Sequence, residues 1–121
     1  MIIAIDFDGV ISNYKGFKGK GVFEEPVPGS IMAIQCLSLS GHTIIINTTR
    51  SETWLVEEYL EKHKIPFNYI NFCPENQRRH LSPTKVLADV YIDDRNVRFD
   101  GNWVATYDEV IKFKPWWKNG Q

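Results

Sequence analysis

The chain has 121 residues, 43% hydrophobic and 24% charged, with a formal net charge of −1. That length suits one domain with a single continuous core, and the near-neutral charge gives no general attraction to nucleic acid or membrane, so an anionic ligand must be held by local groups. Cys36 and Cys73 show no pairing pattern, no apolar stretch reaches membrane-spanning length and no basic export region opens the chain, so a reduced, cytoplasmic protein is expected.

The first element is an apolar run, Ile2-Ile3-Ala4-Ile5, that ends in Asp6-Phe7-Asp8-Gly9. A continuous β-branched run predicts a strand buried on both faces, and in open α/β sheets the ligand crevice lies beyond the carboxyl ends of such strands. Period-two geometry points Asp6 and Asp8 to one side, where two carboxylates repel unless a cation or a proton relieves them. A turn closing on Asp8-Gly9 is the plainer reading. Turns rarely need two acids against a hydrophobic strand, however. Residues 12–21 are rich in glycine and lysine and, with the segment to Pro26, predict a flap-like loop over about 11–26 with room for a short hairpin. Its Lys15, Lys18 and Lys20, with Tyr14 and Phe17, either clamp an anionic or aromatic substrate or keep a mobile loop soluble.

Ser30 is placed to cap a helix over 31–39 that Gly41 stops. Thr43–Asn47 is a second buried strand, running into Thr48-Thr49-Arg50. Ser51 and Glu52 open another helix, with Trp54, Leu55, Tyr59 and Leu60 sharing a face and the end near 62–64. A shorter third strand is expected over 67–72 and an irregular polar stretch over 73–83, which carries the basic Arg78-Arg79-His80. Lys85 follows, then a fourth strand, Val90–Ile92, ending in Asp93-Asp94-Arg95, and a short fifth at 103–105. Arg95 and Asn96 are expected to shape the turn after the fourth strand, and Trp116 and Trp117 to pack the tail onto the domain. His42, His63 and His80 have no partner at ligand spacing and read as structural or surface residues. Strands alternating with helices predict a three-layer, Rossmann-like α/β fold: a mostly parallel central sheet of about five strands, helices on both faces, and a single domain over 1–121.

A parallel sheet brings Asp6/Asp8, Thr48/Thr49/Arg50 and Asp93/Asp94 to one edge, with Lys85 entering just ahead of the last pair. Four acids there call for a cation, and all-oxygen ligands favour a hard ion such as Mg²⁺, which binds through few carboxylates plus phosphate. The expected site is a carboxylate-bound Mg²⁺ facing a phosphate.

With Asp6-Phe7-Asp8-Gly9-Val10, Thr48, Lys85 and Asp93-Asp94 in that order, the chain resembles a small phosphatase of the haloacid dehalogenase superfamily over nearly its whole length. The resemblance implies hydrolysis of a phosphomonoester. Asp6 would be the nucleophile that becomes an aspartyl phosphate, and Asp8 the general acid and base. Thr48 would hydrogen-bond the phosphoryl oxygens, and Lys85 would neutralise Asp6 and the phosphate. Gly9, Thr49 and Arg50 complete the implied substrate-binding set. Mg²⁺ would be held by Asp6, by the backbone carbonyl of Asp8 and by Asp93 or Asp94, with Asp93 the better outer ligand. Members lacking an acid at the place of Asp8 tend to retain the aspartyl phosphate, so Asp8 argues for hydrolysis. Thr49 stands where relatives reading Thr-Gly-Arg carry glycine, which leaves open whether Thr48 or Thr49 faces the phosphate.

Plainer roles stand beside these: either threonine as a helix cap, Lys85 as a solvated side chain, and Arg50 paired with Glu52 or Glu57. The intervals between motifs leave no space for a cap domain, so the resemblance is to the capless group, whose open sites suit large substrates or are closed by a neighbouring subunit. The expected partners are thus a phosphorylated small molecule, nucleotide or macromolecular end, no membrane, and, where the open site is closed rather than left open to a large substrate, a second copy over it. A receiver-like signalling domain uses similar residues in another order, with its acidic pair after the first strand, the acceptor Asp after the third and the Lys after the fifth. A non-catalytic binding protein that retains the site is the third alternative.

Overall fold

Two isoleucine runs make the centre of the sheet. In the computed structural model, which describes residues 1–118, they form β1 (Ile2–Asp6) and β2 (Thr43–Asn47), paired in parallel with Ile3 opposite Ile44, Ile5 opposite Ile46 and Asp6 opposite Asn47. β3 (Tyr69–Ile70) joins β2, and β4 (Val90–Ile92) joins β1, both in parallel, so the order across the sheet is β3-β2-β1-β4. The helices are α1 (Ser30–Leu39), α2 (Thr53–Lys62), α3 (Pro74–Arg78) and α4 (Trp103–Lys112). Side chains alternate between the faces of the sheet as the period of two requires. Ile3, Ile5, Ile44 and Ile46 pack with Phe7, with Ile34 of α1 and with Val56, Tyr59 and Leu60 of α2. Ala4 and Ile45, on the opposite face, pack with Cys73 and Val86.

The sheet has four strands, not the five expected. Residues 103–105 are the first turn of α4, because the Asn102 side chain accepts the Ala105 N–H at 3.0 Å and so caps a helix there. The strand expected over 67–72 shrinks to Tyr69–Ile70. Asn68 turns its side chain to the Ile44 N–H at 2.8 Å, and Asn71 bends the chain away at a φ of 53°. Within the stretch expected to be irregular lies the short α3. α1 starts at Ser30 rather than after it; Gly29, at a φ of 88°, holds the cap position, and the buried Ser30 hydroxyl has no hydrogen-bond partner among the described residues. On α2 the buried face is Val56, Tyr59 and Leu60, while Trp54 is 60% exposed. The flap forms no hairpin strands, only isolated bridges from Ser12 to Asp8 and Pro26. Both cysteines are free. Among the described residues no helix is long and apolar enough to cross a membrane.

Candidate active site

β1 delivers Asp6 at its last residue, and the chain then turns sharply, with the Phe7 carbonyl accepting from the Ile11 and Ser12 N–H groups at 2.9 and 3.0 Å. Phe7 anchors this turn, fully buried and edge-on to Phe23 and Tyr59. At the carboxyl end of the neighbouring β4 stand Asp93 and Asp94. One carboxylate oxygen from each of Asp6, Asp93 and Asp94 falls within 4.8 Å of the others. Burial pushes the Asp6 carboxyl up to about 8, helped by a hydrogen bond with Asp94 and by the charges of Asp93 and Asp94. The Asp93 carboxylate also closes its own turn by accepting the Arg95 N–H at 2.8 Å, as expected of a turn-shaping Arg95.

Asp6, Asp93, Thr48, Thr49, Lys85 and Asn96 line one cleft of about 430 Å³. Most of the anticipated groups are thereby brought together from four separate stretches of chain. Thr48 is the more firmly placed threonine: its N–H donates to the Asn71 side chain at 2.8 Å, its carbonyl accepts from the same amide at 2.9 Å, and its hydroxyl accepts the Arg50 N–H at 3.1 Å. Neither threonine caps α2, whose cap position is Glu52. Lys85 is exposed, with its Nζ 5.3 Å from the centre of the Tyr91 ring and no ion pair among the described residues.

Asp8 departs from expectation. The strand ends at Asp6, so period-two geometry does not carry Asp8 into the acidic cluster. Arg50 instead takes both its oxygens in a fork, Nε to Oδ2 at 2.7 Å and Nη2 to Oδ1 at 3.0 Å. The Arg50 side chain is only 8% exposed. Its guanidinium lies 4.6 Å from the Phe23 ring centre and 5.5 Å from that of Phe17, and Nη1 donates to the Gly19 and Lys20 carbonyls at 3.4 and 3.3 Å. Arg50 thus pairs with neither Glu52 nor Glu57, and it latches the flap to the strand end. Lys18 pairs with Glu24 and Lys20 with Glu52, so these flap lysines are engaged within the chain. Arg78 and Arg79 both hold Glu75 on α3 and do not line the acidic cleft, and His80 lines a neighbouring cavity of about 490 Å³ that shares Asn71 and Val86 with it.

Gly9 sits at a φ of 86°, which favours glycine, and an added Cβ would lie 2.2 Å from the Asp94 carboxylate. Its place is the floor under Asp94. Sequence reasoning missed Asn71, whose only signal was an Asn between two apolar stretches. It also left the tail tryptophans as packing residues. Trp116 Nε1 donates to the Gly9 carbonyl at 2.7 Å and Trp117 Nε1 to Asp94 Oδ2 at 2.6 Å.

No family model and no curated protein matches the chain. Solved structures that resemble it include a conserved protein from Bacteroides thetaiotaomicron, 29% identical with a TM-score of 0.63 over 94% of this chain and 92% of its own. A protein from Vibrio cholerae, at 20% identity, has a TM-score of 0.52 over 93% of this chain and 98% of its own. The second likeness is one of fold alone. Together they place the chain among α/β proteins of this size built on a parallel sheet.

Proposed function

We propose that the protein is a Mg²⁺-dependent phosphatase of the haloacid dehalogenase type, hydrolysing a phosphomonoester through an aspartyl phosphate on Asp6. The observation that carries this is the meeting of Asp6, Asp93 and Asp94 at the carboxyl edge of a parallel sheet, with Asp6 and Asp93 lining one cleft together with Thr48 and Lys85. Three crowded carboxylates suit a hard cation with oxygen ligands, and Asp6 with Asp93 and Asp94 would hold it. A bound Mg²⁺ there supplies positive charge against the carboxylates and the phosphate oxygens.

Asp6 has to lose the proton it shares with Asp94 before it attacks. Its carboxylate oxygen then bonds to phosphorus as the bond to the leaving oxygen breaks, and that oxygen takes from Asp8 the proton that Asp6 gave up, which water carries to Asp8 once the Arg50 fork opens. In the second half Asp8 takes a proton from water as the water oxygen attacks phosphorus and the bond to Asp6 breaks, releasing phosphate. Asp8 can do this only through an oxygen that Arg50 frees, so the fork loosens during turnover. Thr48, fixed by Asn71, donates its hydroxyl to the phosphoryl group, with Thr49 beside it, and Lys85 leaves the Tyr91 ring to meet the phosphate charge.

The same proposal includes a cytoplasmic setting, a three-layer arrangement of the fold and a phosphorylated small molecule, nucleotide or macromolecular end as substrate. The uncapped cleft also admits a second copy as its cover, which light scattering reads directly. The test is turnover of an aryl phosphate with and without Mg²⁺. Wild type should depend on the ion, and Asp6→Asn should lose activity by several orders of magnitude. Equal rates for the two proteins overturn the assignment. The motif order speaks against a receiver-like domain, and measurable turnover would dispose of a purely binding role.

A further inference from the structure

The tail of the described chain, a 3-10 turn over Trp116–Lys118, lies against the acidic cluster. Trp117 is 8% exposed, and its ring meets Tyr14 edge-on at 4.9 Å between centres. The Arg95 guanidinium stands 5.9 Å from the same ring. Gly9 belongs to this contact as well, since an added Cβ would lie 2.9 Å from Trp117 Nε1. The two indole N–H groups, on Gly9 and on Asp94, therefore join the turn after β1 to the turn after β4.

Asp94 has few other restraints. β4 is an edge strand of three residues, each about two-fifths exposed, so packing fixes the turn beyond it only weakly. Asp93 is held by its bond with the Arg95 N–H, whereas among the described residues the Asp94 carboxylate is hydrogen-bonded to Asp6 and Trp117 alone and rests on Gly9. An indole N–H has one fixed direction and no acceptor role, and its bond to a carboxylate is charge-assisted.

We propose that Trp117 is a positioning residue of the acidic centre, aiming the Asp94 carboxylate at Asp6 while Trp116 fixes the Gly9 turn, so that the tail forms one wall of the cation site. The inference rests on the reading of Asp6, Asp93 and Asp94 as a cation centre. Groups that orient metal ligands from behind typically change affinity on the order of 10–100-fold.

The test uses the full chain freed of metal with EDTA. Titration calorimetry with Mg²⁺ should find Trp117→Phe, which keeps the ring and loses the donor, weaker than wild type on the order of 10–100-fold. An unchanged Kd in the folded variant overturns the proposal. In ¹⁵N–¹H spectra the Trp117 indole peak should shift when Asp94→Asn is made and when Mg²⁺ is added, while the peak of Trp103, 71% exposed on α4, should stay. A Trp117 peak that ignores Asp94→Asn overturns the proposal whatever Trp117→Phe does to folding. If wild type binds no Mg²⁺, the proposed function fails, and the Asp94→Asn shift still decides whether the tail holds Asp94.

Discussion

Asp6 is the residue on which pH acts most directly. Its carboxyl releases its proton near 3.8 in the unfolded chain and near 8 in the folded, metal-free protein, because burial and the neighbouring acids oppose its charge. Between those values the folded state binds the extra proton, so the contribution of Asp6 to stability is full below about pH 4 and declines as pH rises through 8. Thermal melts in EDTA from pH 5 to 8 should therefore fall more steeply for wild type than for Asp6→Asn. Matching slopes would show that Asp6 is not protonated at neutral pH. Arg50 poses the complementary question of charge pairing. With its side chain 8% exposed and that of Asp8 21% exposed, Arg50→Met would leave a half-buried carboxylate unpaired, at a cost of about 3 kcal/mol, the lower end for buried pairs. Arg50→Lys keeps the charge but loses the fork and the stacking on Phe23, so it should recover only part of that loss in urea unfolding.

At the scale of elements, what the sequence revealed follows how each segment earns its shape from local chemistry or from distant partners. β1 and β2 were legible because unbroken isoleucine runs leave few alternatives, and with them the placing of Asp6 and Thr48 at strand ends. The acids after β4 were legible because the short apolar run Val90-Tyr91-Ile92 ends in them. Asp8 was not, because its direction depends on Arg50, 42 residues away, and no local pattern records that pairing. Residues 103–105 look like a strand because Trp-Val-Ala is apolar, yet the cap residue just before them, Asn102, was the signal for α4. That helix leaves Trp103, Val104, Tyr107, Val110 and Ile111 exposed and buries only Thr106. Its stability therefore rests on local bonds more than on the core. Asn102→Ala should cost α4 about 1 kcal/mol, seen as amide exchange about fivefold faster within residues 103–112 with little change in the global melt. A core change behaves differently. Ile45→Ala, at a fully buried position of β2, should lower global stability by about 2–5 kcal/mol.

For the whole molecule the consequence is an acidic centre with one rigid side and one compliant side. Asp6 leaves the best-packed strand pair, β1 with β2, whereas Asp93 and Asp94 leave an edge strand that is exposed along its length. A cation shared by the three carboxylates would tie the compliant side to the rigid one. Binding to the folded state alone raises stability by about 2.7 kcal/mol at a hundredfold excess over Kd. That gain should be concentrated in slower amide exchange at residues 90–95, since β2 is already near the limit set by global unfolding. It should also strengthen with pH up to about 8, because loading the site displaces the proton that Asp6 holds. Exchange measured with and without Mg²⁺ in wild type and Asp6→Asn checks both points. Protection spread evenly over the sheet, or equal in Asp6→Asn, would show that the ion acts elsewhere and that the two sides of the cleft are not joined through Asp6.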